Sequence, residues 1–119
     1  KIVNYYNEHF SGIEELILPF EDNQVDSNFH IYTLQIKDNP RFDRYDLYTY
    51  LDSVNIGTMI HYIPIHLQPY YMKKYGFKKD DFLVSEEFYG REISLPVYLA
   101  LTNDDQQFVI QSLYDVLDG

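Results

Sequence analysis

The strongest constraint in this sequence is the way its hydrophobic period changes along the chain. Apolar residues recur at helical spacing in some segments and crowd into short β-branched or aromatic runs in others, with polar or proline-containing breaks between them. Ile2, Val3, Tyr6 and Phe10 share one helical face and Ser11-Gly12 follows as a stop signal, which predicts a first helix over Ile2 to Phe10. Phe29 to Ile36 (Phe-His-Ile-Tyr-Thr-Leu-Gln-Ile) is the clearest strand, being rich in β-branched and aromatic residues. Asp38-Asn39-Pro40 breaks it. Leu47, Tyr48, Leu51 and Val54 then line a second helix that begins near Phe42, and Asn55 suits the left-handed position just past its end. Ile56 to Tyr62 returns to a strand-like composition, and Pro64 and Pro69 predict an extended loop without regular helix after it. A short helix is predicted from about Leu83 to Arg91 and a third extended segment over Ser94 to Leu99. Thr102-Asn103-Asp104-Asp105 has the pattern of a capping box, and Ile110, Leu113, Tyr114 and Leu117 form the buried stripe of a last helix running to Gly119.

The resulting order, α-β-α-β-α-β-α, restricts the chain to a two-layer mixed α/β (α+β) architecture. Its 119 residues allow one compact domain, 1–119, and no repeat or linker divides them. The absence of cysteine removes disulfides and thiolate chemistry, leaves stability to the apolar core, and fits a cytoplasmic protein. Nineteen acidic against nine basic side chains give a net charge of -10, which would repel a nucleic-acid backbone. No apolar stretch approaches the roughly 20 residues of a membrane-spanning helix, and Lys1 to Tyr5 lack the core of a signal peptide. The chain opens without Met on a helical segment, as expected of a piece excised from a longer polypeptide.

Several constellations invite a chemical reading. His61 and His66 bracket His-Tyr-Ile-Pro-Ile-His, but histidines five apart on an extended segment point to opposite faces, which disfavours a shared metal; a hydrogen-bonded structural role is the plainer alternative. The acidic pairs Asp43/Asp46, Asp80/Asp81, Glu86/Glu87 and Asp104/Asp105 could do acid/base work only in a cleft that splits their pKa values, and at helix starts such pairs are ordinarily solvated or dipole-stabilising. Lys73-Lys74 and Lys78-Lys79 read as solvated loop lysines, because a reactive amine needs burial. The aromatic run Pro69-Tyr70-Tyr71 with Tyr75 and Phe77 suits either stacking on a sugar or nucleotide, or packing against the core or a neighbouring domain. No phosphate-binding glycine loop or nucleophile motif is present.

Gly57-Thr58-Met59-Ile60-His61-Tyr62-Ile63-Pro64-Ile65-His66-Leu67-Gln68-Pro69-Tyr70-Tyr71 resembles the C-terminal segment of the DegT/DnrJ/EryC1/StrS sugar aminotransferases. The likeness extends upstream through Asn55-Ile56, the helix before it and the strand around Phe29-His30-Ile31-Tyr32, and downstream through Ser94-Leu95-Pro96-Val97-Tyr98 and Leu101-Thr102. It covers nearly the whole chain; Asn55 stands where many relatives have Gly, and tolerates the same left-handed conformation. The resemblance implies the small domain of a fold type I aminotransferase, an antiparallel sheet backed by helices, without the large domain that carries the Schiff-base lysine and holds pyridoxal phosphate (PLP). It implies a parent, a homodimer, that moves an amino group, usually from glutamate, onto a nucleotide-linked keto-deoxysugar for surface or spore-coat polysaccharide. This chain alone would be inactive and would bind no PLP. The resemblance further implies substrate-pocket roles for His61 first, then Tyr62 and His66, with Leu95-Pro96 as support; no metal site is expected, given the opposed histidines. The wording from His61 to Tyr71 is most similar to members that aminate position 4 of the sugar. The alternative from another class is a stand-alone carbohydrate-binding or protein-interaction module.

Overall fold

A computed structural model describes all 119 residues. The first helix, α1 (Ile2–Phe10), buries Val3, Tyr6 and Phe10 as its spacing predicts. It is followed by a two-residue strand β1 (Leu16–Ile17), strand β2 (Tyr32–Ile36), helix α2 (Arg44–Ser53), a 3-10 turn over Ile65–Leu67, helices α3 (Pro69–Tyr75) and α4 (Leu83–Arg91), strand β3 (Glu92–Leu95) and helix α5 (Asn103–Asp118).

The three strands form one antiparallel sheet in the order β1-β2-β3, with Leu16 opposite Ile36, Tyr32 opposite Leu95 and Leu34 opposite Ile93. This is the antiparallel, helix-backed α+β architecture expected from the resemblance. Side chains alternate across a strand. One sheet face therefore carries Tyr32, Leu34, Ile36, Ile93 and Leu95, which join residues of α1, α2 and α5 in a single core. The opposite face carries Thr33, Gln35, Glu92 and Ser94, and there the polar chemistry collects.

Local chemistry explains the helix boundaries. Asp43 caps α2, its carboxylate accepting from the Tyr45 and Asp46 amides while Asp46 accepts from the Asp43 amide. Thr102 and Asp105 form the corresponding box on α5. Replacing Asp43 with Ala leaves those amides without their acceptor and is expected to cost about 1 kcal/mol in urea denaturation. Asn55, at φ 62°, takes the left-handed turn read from the sequence.

Five segments differ from the sequence expectation. The strand begins at Tyr32 rather than Phe29, because the Ser27 hydroxyl and the Asn28 side-chain oxygen Oδ1 accept from the Phe29 and His30 amides and hold a turn there. The helix predicted from near Phe42 starts at Arg44, where its cap permits. The stretch after Pro64 is not an extended loop: Pro69 occupies the first turn of α3, where its missing N–H costs nothing. The third extended segment is displaced to Glu92–Leu95, because Pro96 cannot donate to the ladder and the chain turns away after it.

The predicted strand over Ile56 to Tyr62 shrinks to one rung. Met59 and Ser94 exchange amide-to-carbonyl bonds of 3.2 and 2.8 Å at the free edge of β3. In regular antiparallel pairing the next such rung would join His61 to Glu92. Instead the His61 amide donates to the side chain of Glu92, at 2.5 Å from Oε1. The Glu92 carbonyl accepts from Arg44 Nη1 at 3.4 Å.

Residues between this edge and β3 form a lobe whose helices α3 and α4 bury no residue fully. The molecule is correspondingly elongated, 48 × 36 × 26 Å.

Candidate functional site

The edge of β3 places His61 in a defined setting. Its main-chain N–H meets Glu92, and its ring Nδ1 lies 2.9 Å from Ser94 Oγ. Its ring also sits edge-on to Tyr62, with centroids 4.7 Å apart. The His61–Tyr62 peptide is cis. Tyr62 is exposed and His61 half-buried, so the pair faces outward from the sheet edge. No side-chain or main-chain group of the chain bonds the other ring nitrogen of His61, Nε2.

His66 lies elsewhere. Its ring is buried, with Nε2 2.7 Å from Glu86 Oε1 and the ring against Phe82 at 4.8 Å. Glu86 also accepts from the Asp80 amide at 2.8 Å. The hydrogen bond from His66 is the main reason the Glu86 carboxyl titrates below the ordinary carboxylate range. The two histidines thus have separate partners, and His66 pins α4 to the 3-10 turn. Among the sequence-predicted residues, the structure brings His61 and Tyr62 together and sets His66 in a second cluster.

Replacing Glu86 with Leu removes the partner of a buried imidazole and of a main-chain amide at once. The lobe is expected to open more readily, read as earlier proteolysis within residues 62–91. Cleavage at the wild-type rate would contradict this role.

Other candidates resolve into structural chemistry. Asp43/Asp46 and Asp105 serve as caps, and Glu87 pairs with Arg91, which also holds Asp38. Leu95 lies in the core, and the Pro96 carbonyl accepts from the buried Tyr6 hydroxyl at 3.0 Å, which suits the supporting role expected of Leu95-Pro96. The aromatic run is exposed and continuous: Tyr71 stacks on Tyr75, Tyr75 meets Phe77, and Phe77 meets Phe82, at centroid distances of 6.1, 5.7 and 5.5 Å. It ends on His66 and presents Tyr70, Tyr71 and Tyr75 to the outside of the lobe.

Sequence reasoning missed Glu92. It is completely buried at the head of β3, and burial pushes its carboxyl up to about 7, against the opposing effects of the His61 amide and the Arg44 charge. Its Oε2 is buried without a partner. The available signal was an acidic residue opening a short apolar strand, Glu-Ile-Ser-Leu, next to a segment singled out for other reasons.

A PLP-holding role would require a sheltered lysine. Lys1, Lys37, Lys73, Lys74, Lys78 and Lys79 are all exposed, and Lys74 stands over the rings of Tyr70 and Tyr75 in solvent. The residues of this chain therefore do not fit covalent attachment of that cofactor. No helix is long and apolar enough to cross a membrane.

Comparison with known proteins gives a consistent result. The model of the DegT/DnrJ/EryC1/StrS aminotransferase family matches residues 1–114. The uncharacterized protein MJ1066 of Methanocaldococcus jannaschii is 40% identical over 98% of this chain and 31% of its own length. The spore coat polysaccharide biosynthesis protein SpsC of Bacillus subtilis is 36% identical over 100% of this chain and 31% of its own. Among solved structures, a DegT DnrJ EryC1 StrS aminotransferase from Brucella abortus superimposes with a TM-score of 0.78 at 28% identity, over 96% of this chain and 29% of that one. The chain thus spans about a third of the length of these relatives.

Proposed function

The chain belongs to the DegT/DnrJ/EryC1/StrS aminotransferase family, and from that premise we propose that residues 1–119 are the C-terminal small domain of a PLP-dependent sugar aminotransferase. The observation that carries this reading is the family match to residues 1–114, set against relatives about three times as long. The large domain of the parent supplies the lysine that holds PLP. The parent works as a cytoplasmic homodimer, takes its amino group from glutamate, and delivers it to position 4 of a nucleotide-linked keto-deoxysugar destined for a polysaccharide. The name of the Bacillus relative, a spore coat polysaccharide biosynthesis protein, supports the polysaccharide destination. The wording from His61 to Tyr71, in which the resemblance to position-4 enzymes resides, supports the position.

Within that reading His61 and Tyr62 line the mouth of the nucleotide-sugar pocket. An imidazole with a free nitrogen beside an exposed phenol offers hydrogen bonding and a flat apolar surface, which suits a sugar ring. His66 contributes from behind, by holding the lobe that frames the pocket.

The test is to offer the full-length polypeptide, with PLP and glutamate, UDP- and dTDP-linked 4-keto- and 3-keto-6-deoxysugars, and to identify products by mass spectrometry and NMR. Amination of the 4-keto sugars is expected. Turnover of the 3-keto sugars alone would sink the position-4 assignment, and turnover of none would sink the aminotransferase reading. In the same enzyme His61→Ala should lower kcat/KM about tenfold or more while changing stability by about 1 kcal/mol at most. Kinetics equal to wild type would remove His61 from the pocket.

A further inference from the structure

The contacts of His61 follow from an exchange at the edge of β3. After the Met59–Ser94 rung, regular pairing would engage the His61 amide with the main-chain carbonyl of Glu92. The side-chain carboxylate takes that bond instead, and the Glu92 carbonyl accepts from Arg44 Nη1. One rung away, Ser94 places its hydroxyl against Nδ1 of the same imidazole. Glu92 and Ser94 share a sheet face by alternation, and both are buried.

A strand that only needed packing would carry apolar residues at both positions, because a buried carboxyl with one oxygen unpartnered is costly. Edge pairing alone does not need them either, since a main-chain rung requires no side chain. Together the two contacts fix the His61 backbone and the rotation of its ring, and leave Nε2 as the only nitrogen free for a ligand.

We propose that Glu92 and Ser94 are positioning residues that set the orientation of the His61 imidazole, anchoring it through its main-chain N–H and Nδ1 so that Nε2 is presented outward. Neither residue touches substrate; both act through His61. The service of this anchor to the sugar nucleotide rests on the reading of His61 as a pocket residue.

The anchor and the pocket reading are tested separately in the full-length, PLP-loaded protein labelled with 15N-histidine. His61 ring signals are assigned by their loss in His61→Ala. Ser94→Ala removes one oxygen and keeps the main-chain rung to Met59; Glu92→Leu removes the acceptor; Glu92→Gln keeps an acceptor oxygen. Ser94→Ala and Glu92→Leu should each shift the His61 signals toward those of an unanchored, tautomer-averaged imidazole, whereas Glu92→Gln should leave them close to wild type.

With a UDP-linked 4-keto-6-deoxysugar as probe, the first two should lower kcat/KM about tenfold or more, Glu92→Gln should recover most of it, and none should add to the loss in a His61→Ala background. Unchanged ring signals in Ser94→Ala and Glu92→Leu would overturn the proposal. So would a kinetic loss equally large with and without His61. If Glu92→Leu does not accumulate as folded protein, Ser94→Ala decides alone. Shifted ring signals combined with wild-type kinetics in His61→Ala would uphold the anchor and sink the pocket reading.

Discussion

Glu92→Gln is expected to flatten the pH dependence of stability between pH 5 and 8. In the folded chain, burial raises the Glu92 carboxyl from about 4.5 to about 7, with Arg44 on α2 and the His61 amide as the groups that oppose the shift. The unfolded chain releases this proton near the ordinary carboxylate pKa, so across the window the folded state holds more protons than the unfolded one. Stability is therefore fully present below about pH 4.5 and is lost as pH rises through about 7. The loss is on the order of 3 kcal/mol at pH 8. Gln keeps the oxygen that accepts from His61 and cannot ionise, so the variant should gain on wild type as pH rises.

Asp38 and Glu86 do not interfere with this window. Arg91 and His66 hold their carboxyls below the ordinary range, so the stability they contribute disappears only toward acid pH. Urea midpoints of both proteins at pH 5, 6, 7 and 8 provide the measurement. Parallel curves would show that Glu92 is ionised at pH 5 as in an ordinary exposed carboxylate, and that its burial is relieved by some other group.

Leu113→Ala should produce the largest loss of stability on α5. Leu113 is fully buried, and the cluster around it joins α5 to α1, α2 and the sheet. Removal of its side chain is expected to cost about 2–5 kcal/mol, because neighbours fixed on several elements cannot collapse into the space. In the 119-residue chain that corresponds to a fall in Tm of about 10 °C or more. The exposed Gln111 on the same helix provides the contrast, since its replacement by Ala should move stability by about 0.5 kcal/mol. Equal effects at both positions would contradict the stripe.

The aromatic lobe bears on how the domain is used. Tyr70, Tyr71 and Tyr75 are exposed on a helix that buries none of its residues, beside further exposed rings and aliphatics at Ile63, Ile65 and Phe82. A surface of this kind is the mark of an interface. The lobe extends beyond the single core and gives the chain its elongated shape.

The helices α1, α2 and α5 could be read from the sequence, as could the left-handed Asn55 and the Thr102 capping box, because each depends on residues within one or two turns of each other; the Asp43 box on α2 has the same local character but reads in the sequence only as an acidic pair at a helix start. The same holds for the polar roles of Asp43 and Asp105. The likeness around His61 singled out a segment in which His61 and Tyr62 sit together at an exposed edge, and their pocket role is the one proposed above.

What the sequence left open depends on partners distant in the chain. Strand β1 is two residues long and exists only through pairing with β2, which no local propensity could announce. The strand expected over Ile56 to Tyr62 competes with a carboxylate 31 residues away, and the carboxylate wins the His61 amide. His66 finds Glu86 twenty residues on, and that contact draws its ring into a cluster apart from His61. Periodicity and capping are short-range properties and survive in one dimension. Which polar atom meets which across the face of a sheet is decided only when the chain has closed on itself, because the cost of leaving a buried donor or acceptor unpaired is settled by whatever the fold brings near.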